Sequence, residues 1–265
     1  MREKVNGFVG VMALTILCIV SGLCMVWGIA PVVLAVYVAA CAVCGRYMIT
    51  CIGCAAGVAA GSMGIAGMLH ADEYMIPGPV YSGVMVTEKY LVLLGLAMCL
   101  MKIVYSRNSK AYVRVIVVVA AAVLMGNIVV YVDNMLMAAA YGVVEAAIFL
   151  CASVILKPGI GLLYTYICGD ASDVEKDGSW NISQGIVSLM VLAAVALWVV
   201  PGEDIYGVNP AFMLALVLIL YAVYRTGAVY GCGMAAVAGS IVSVKLYDSR
   251  WLMWMLLVTL VMLIG

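Results

Sequence analysis

The segment Met135-Leu-Met-Ala-Ala-Ala-Tyr-Gly-Val-Val-Glu-Ala-Ala-Ile-Phe-Leu-Cys-Ala-Ser-Val-Ile-Leu156 decides the fold. It carries a single charge, Glu145, and it is long enough to cross the apolar part of a bilayer, which takes about 20 residues as a helix. Val115 to Met125 forms a second unbroken apolar run. A barrel strand would alternate polar and apolar residues over about 10 positions. These runs do not alternate, and only helices and closed barrels satisfy the backbone in lipid.

The rest of the chain agrees. Of 265 residues, 68% are apolar and 10% are charged, with 13 basic and 13 acidic groups and no net charge. A soluble domain is about half apolar and a quarter charged. The composition excludes a soluble enzyme, a disordered tail and a basic nucleic-acid binder. The sequence predicts an all-α integral membrane protein, a polytopic bundle of about nine or ten transmembrane helices with short loops. It is read as one membrane domain over 1–265, with the lipid bilayer as its first partner.

The charges mark candidate borders. Spans are expected at 6–28, 31–45, 47–69, 90–105, 112–132, 135–156, 182–200, 210–224, 227–244 and 251–264. The first resembles a signal peptide at its basic start, but its apolar stretch is too long and no small-residue cleavage site follows, so it is read as retained. Pro31 suits the first turn of the second span. The stretch from His70 to Lys89 reads as a polar loop, and Asp133 and Asn134 as a tight turn. Lys157, Pro158 and Gly159 read as a helix break, leaving Ile160 to Cys168 too short to span. Asp170 to Trp180 reads as an acidic loop. The segments around Arg225 read as two short spans or one bent element.

With the N-terminus in the cytosol, Arg2, Lys4, Arg46, Lys102, Arg107, Lys110, Arg114, Lys157, Lys176 and Arg225 fall on the cytosolic side. Lys89, Lys245 and Arg250 fall outside. This excess follows the positive-inside rule and predicts a multi-pass protein of the bacterial cytoplasmic membrane.

Small residues recur every fourth position in two helices: Gly53, Gly57 and Gly61, with Gly64 near, and Gly227, Gly231, Ala235 and Gly239. Such stripes let helix backbones approach closely. They suit packing inside one bundle, or an interface with a second copy of the chain.

Glu145 is the one acid in the middle of a span. A carboxylate at that depth must be neutral, paired or wet. Asn127 and Tyr131 on the preceding span are placed to hydrogen-bond it. With no lysine or arginine expected mid-span, Glu145 is read as buried and neutral, and replacement by glutamine is expected to be tolerated. A signalling or ion-linked role is the alternative.

Three further patterns carry less. Cys41, Cys44, Cys51 and Cys54 form C-x2-C-x6-C-x2-C, a zinc-like spacing, but they lie in alanine-rich apolar spans and read as packing thiols. Asp173, Glu175, Asp177 and Gly178 match half of a calcium loop, yet the bidentate position holds Gln184. His70, beside Asp72, has no second histidine. No metal site and no catalytic residue is assigned.

Several stretches together resemble the N-terminal membrane domain of stage II sporulation protein E. They are Gly28-Ile-Ala-Pro31 leading to Ala35, Tyr141-Gly-Val-Val-Glu145-Ala-Ala, and Tyr221 to Arg225 running into Gly227-Ala-Val-Tyr-Gly231-Cys-Gly-Met-Ala-Ala-Val-Ala-Gly239. The resemblance covers most of the chain. It implies about ten membrane helices followed by a regulatory region and a metal-dependent serine/threonine phosphatase domain that activates the first forespore sigma factor. It also implies division-septum proteins as partners. The chain departs from that pattern by stopping at Gly265, so manganese or magnesium is expected only in a phosphatase domain that these residues lack. The expected role is a membrane anchor and assembly module. A small-solute transporter, or the membrane subunit of one, is the alternative, and an embedded enzyme is a third reading that the scarcity of polar residues in the spans disfavours.

Overall fold

A computed structural model describes residues 2–24, 30, 32–62, 83–104, 111–130, 135–168, 182–200, 209–246 and most of 250–257. Every regular element among them is a helix. In chain order these are α1 (Arg2–Leu23), α2 (Val33–Cys44), α3 (Tyr47–Ser62), α4 (Gly83–Ile103), α5 (Tyr112–Val130), α6 (Met135–Cys168), α7 (Ile182–Val199), α8 (Pro210–Thr226) and α9 (Ala228–Leu246). Further helical residues occur at Arg250–Trp251 and Met253–Met255. By length and composition, two stretches are long and apolar enough to cross a membrane, Tyr112–Val130 and Met135–Thr165. The His70 to Val80 loop, the Asp133–Asn134 turn, the acidic loop before α7, Tyr131 and Gly64 lie outside the described residues.

The chain forms two compact units. The first runs up to Ser188 and the second from Leu189 onward. In the first, α2 is the core element. It is apolar on every side, and Val33 through Cys41 are all buried, as an all-round hydrophobic helix requires. α2 ends at Gly45, whose φ of 63° places it in the left-handed region that favours glycine. Thr50 ties the start of α3 to this turn by donating to the Arg46 carbonyl at 2.7 Å.

α1 and α3 pack through glycine. A Cβ on Gly57 would sit 2.3 Å from the Ile19 carbonyl oxygen, and one on Gly22 would sit 2.6 Å from the Val58 nitrogen. Gly53 faces Thr15 and Cys18. Gly53 and Gly57 thus meet a neighbour inside the chain, and Gly22, absent from the expected stripe, is their counterpart.

Two expectations about α4 and α6 fail. α4 begins at Gly83 rather than near residue 90, which puts Lys89 well inside the helix. α6 does not stop at Lys157; it continues through Pro158 to Cys168. A proline has no N–H and normally breaks a helix interior. Here the Ser188 hydroxyl of α7 repairs the ladder, accepting from the Gly159 N–H at 2.9 Å and donating to the Leu156 carbonyl at 3.1 Å. The Tyr112 hydroxyl also donates to the Ser153 carbonyl at 2.8 Å. Side chains of neighbouring helices commonly satisfy such freed groups. Beyond the proline, α6 stays against α7, where Leu162 fills the space a side chain on Gly185 would need.

In the second unit, α8 starts with Asn209 as N-cap, its Oδ1 accepting from the Phe212 N–H at 2.9 Å, and Pro210 in the first turn. Arg225 does not itself divide the region. The break is Gly227, with a φ of 88° and open space around it, so this member of the glycine stripe serves the turn and not the packing face. Gly231 lies against Val223. Ala235 and Gly239 are buried, and Ala235 joins Ala215, Ile219, Met234 and Val242 in the apolar core of this unit.

Candidate functional site

Three buried polar residues of the first unit, Lys89, Asn127 and Glu145, meet at one place. Glu145 is 1% exposed and Asn127 is fully buried. α5 and α6 approach closely here because Gly142 has no side chain: a Cβ on it would lie 3.4 Å from the Cβ of Asn127. The Asn127 Nδ2 donates to Glu145 Oε2 at 2.6 Å and, with its second hydrogen, to the Val123 carbonyl at 3.0 Å. The pairing of Glu145 with Asn127 follows from the position of the two residues on adjacent helices.

The third member, Lys89, was not expected. Its Nζ forms an ion pair with Glu145 Oε2 at 2.8 Å, and both side chains are buried. The same ammonium donates to Asn127 Oδ1 at 3.3 Å. It also stands 4.6 Å from the centre of the Tyr90 ring, so its three hydrogens face a carboxylate, an amide oxygen and an aromatic face. Gly126 makes room for the lysine stem; a Cβ there would lie 3.3 Å from Lys89 Cγ. The idea that no basic side chain reaches Glu145 is therefore corrected. It rested on reading Glu88-Lys89 as the end of a loop, whereas α4 has already run for more than a turn by Lys89.

Tyr90, the next residue along α4, closes the network. Its hydroxyl donates to Glu145 Oε1 and accepts from the backbone N–H of Ala30. Ala30 lies outside both α1 and α2. The cluster thus ties α4, α5 and α6 to the backbone just ahead of the core helix α2. Every buried side-chain nitrogen and oxygen among the described residues has a partner. That completeness matters physically, because an unpaired charge in a low-dielectric interior costs several kcal/mol.

The arrangement is closed and self-neutralising. One cation meets one anion, an amide bridges them, and a phenol covers the second carboxylate oxygen. Nothing in it is an activated nucleophile.

The cysteines are placed differently from a metal centre. Cys41 Sγ lies 3.3 Å from Thr50 Oγ1, Cys44 donates to the Ala40 carbonyl at 2.9 Å, and Cys54 approaches the Val33 carbonyl at 3.9 Å. These three thiols are engaged with their own helix or a neighbouring one, and no group of three or more metal-ligating residues occurs among the described residues. The half calcium loop at Asp173 to Gly178 and the His70–Asp72 pair lie outside the described residues.

The sequence carried signals for two of the missed residues. Val84, Met85 and Val86 extend the apolar pattern of α4 backward past Lys89. Gly22 sits on α1 where a glycine-faced neighbour needs a small partner. For Ser188 there was no signal, because a lone serine in an apolar helix does not announce which carbonyl it will meet. No family model, curated protein or solved structure matches this chain.

Proposed function

We propose that this chain is a multi-pass membrane module whose work is anchoring and assembly. The observation that carries the reading is the closed Lys89–Asn127–Glu145–Tyr90 network. Its ionic groups are spent on one another and fasten three helices to the α2 entrance. An active site would leave at least one such group directed at a substrate.

The inside-out distribution of polarity supports a bilayer location. Lys89 and Glu145 are buried, while Val113, Val117 and Val129 of α5 and Leu136, Val143 and Val154 of α6 are exposed. Water would oppose that pattern and lipid would favour it. The orientation we propose keeps the N-terminus and the Arg107 to Arg114 loop in the cytosol. Within that reading, the chain acts as the membrane domain of a relative of stage II sporulation protein E, localised to the polar septum. What supports this is the motif around Glu145, whose carboxylate is the hub of the network, and the glycine stripe of α9.

A fluorescent fusion followed through sporulation tests the proposal. Enrichment at the polar septum is expected. An even distribution around the membrane at all stages would overturn the sporulation reading while leaving the anchoring one.

A transporter is the second reading, and one observation favours it. The network reaches Ala30, a non-helical residue between α1 and α2, and transporter sites often form at interrupted helices. Solute uptake by reconstituted protein that Glu145→Gln abolishes without unfolding would establish it over the anchoring role.

A further inference from the structure

A second feature lies away from the ion pair, where Pro158 interrupts the surface of α6. A cavity of about 360 Å³ opens there, walled by Tyr112, Val117, Val154, Lys157, Pro158 and Gln184 among others. A second cavity of about 360 Å³ shares Val154, Pro158 and Gln184 and continues toward Val187 on α7. Together they make a groove down the flank of α6. Its walls are apolar and open, with Val117 56% and Val154 64% exposed.

One end of the groove is cationic. The Lys157 Nζ stands 4.7 Å from the centre of the Tyr112 ring, which holds the ammonium over the cavity. Among the described residues, none of those lining the two cavities is acidic. α5 starts at Tyr112, so its N-terminus adds partial positive charge beside Lys157. The groove therefore joins a positive head to an apolar tail of about membrane-leaflet character.

We propose that this groove binds one anionic phospholipid, with the headgroup phosphate at Lys157 and an acyl chain along Val117 and Val154. The proposal rests on the membrane reading above. The level of Lys157 fits a bilayer surface: α6 runs on for eleven residues to Cys168, about 16 Å of helix, and Tyr164 in that extension is of the type that populates membrane interfaces. Basic pockets between helices on the cytosolic side are known to suit acidic headgroups.

The test is native mass spectrometry of the full chain, purified from equal mixtures of phosphatidylglycerol and phosphatidylcholine. One retained phosphatidylglycerol per chain is expected. Lys157→Gln should lower its retention about fivefold, the weight of one cation near a membrane surface. Lys157→Arg should keep it. Val117→Trp, a change at an exposed position that fills the groove, should displace the lipid with the charge intact. Free glycerol phosphate at the same concentration should not compete, because it lacks the acyl chain. Equal retention of the two lipids, indifference to Lys157→Gln, or full competition by glycerol phosphate would overturn the lipid site. Release of the chain from membranes by alkaline carbonate would instead overturn the membrane reading on which it depends.

Discussion

Replacing Glu145 by leucine and Lys89 by methionine, singly and together, is the sharpest test of the buried network. In Glu145→Leu, the Lys89 ammonium keeps Asn127 Oδ1 at 3.3 Å and the Tyr90 ring but loses the anion it pairs with. In Lys89→Met, the carboxylate keeps Asn127 and Tyr90 as donors and loses the cation it pairs with. Removing one partner of a buried ion pair costs about 3–5 kcal/mol, because the remaining charge has no water to turn to. Each single variant should therefore lose about that much stability.

The double variant is different. It buries two apolar side chains where an ion pair stood, an exchange that is often neutral. What remains is the loss to Asn127 of two partners, Lys89 and Glu145, and to Tyr90 of one. Asn127 retains its bond to the Val123 carbonyl and Tyr90 retains the Ala30 N–H. Hydrogen bonds between membrane helices are worth about 0.6–2 kcal/mol, so with three of them gone the double variant should lose about 2–6 kcal/mol. Two singles summing to about 6–10 kcal/mol against that figure give a coupling of about 4 kcal/mol. Equilibrium unfolding in mixed micelles, followed by tryptophan fluorescence, measures all four corners. A coupling below about 1 kcal/mol would refute the pairing, because independent side chains simply add. Glu145→Gln belongs to the same series. Without Lys89 it would be mild, but against an ammonium at 2.8 Å it should behave closer to leucine than to wild type.

Other outcomes follow from the packing. Gly57→Ala places a methyl 2.3 Å from the Ile19 carbonyl and should lower the thermal midpoint by an amount matching about 1–3 kcal/mol, whereas Gly95→Ala, with open space around it, should be neutral or stabilising by up to about 1 kcal/mol. Ser188→Ala removes the partner of both the Gly159 N–H and the Leu156 carbonyl and should cost about 1–3 kcal/mol, with faster amide exchange confined to the residues around Pro158. A cysteine introduced at Ser106 should resist an impermeant thiol reagent in intact cells and react after permeabilisation; labelling in intact cells would reverse the proposed orientation.

The all-helical class was legible because composition and run length act on every residue at once. Helix ends were not, since they turn on single residues. Pro158 stops a helix by local rules, yet α6 runs through it, with hydroxyls from Tyr112 and from Ser188, both distant in sequence, bonded to its backbone on either side of the proline. The stripe Gly53–Gly57 was visible, but its partner could not be named until Gly22 was seen against Gly57. Glu145 stood out as the lone mid-span acid, and Asn127 was reachable from it by helical spacing. Lys89 was hidden by its neighbours: Glu88 beside it and two prolines upstream made the stretch look like loop. Sequence reads a charge as a border, whereas a bundle interior also accepts a charge that meets its opposite.

That misreading also bears on orientation. Lys89 was one of three basic residues assigned to the outer side, and it counted against the proposed direction. In the structure Glu88 is exposed while Lys89 points into the bundle and is held by Glu145. A charge neutralised inside the protein does not meet the membrane's electrical asymmetry as a loop charge does, so it carries no weight in the positive-inside count. Lys245 and Arg250 then remain as the outer basic residues against ten on the cytosolic side. The proposed direction no longer depends on how the start of α4 is assigned. It depends instead on the α8–α9 hairpin, where Gly227 turns the chain and sets the side on which Lys245 emerges. If these two helices together cross the bilayer only once, Lys245 and Arg250 would change sides. An impermeant reagent reacting with a cysteine at Ser249 in intact cells would support two crossings, and protection there would support one.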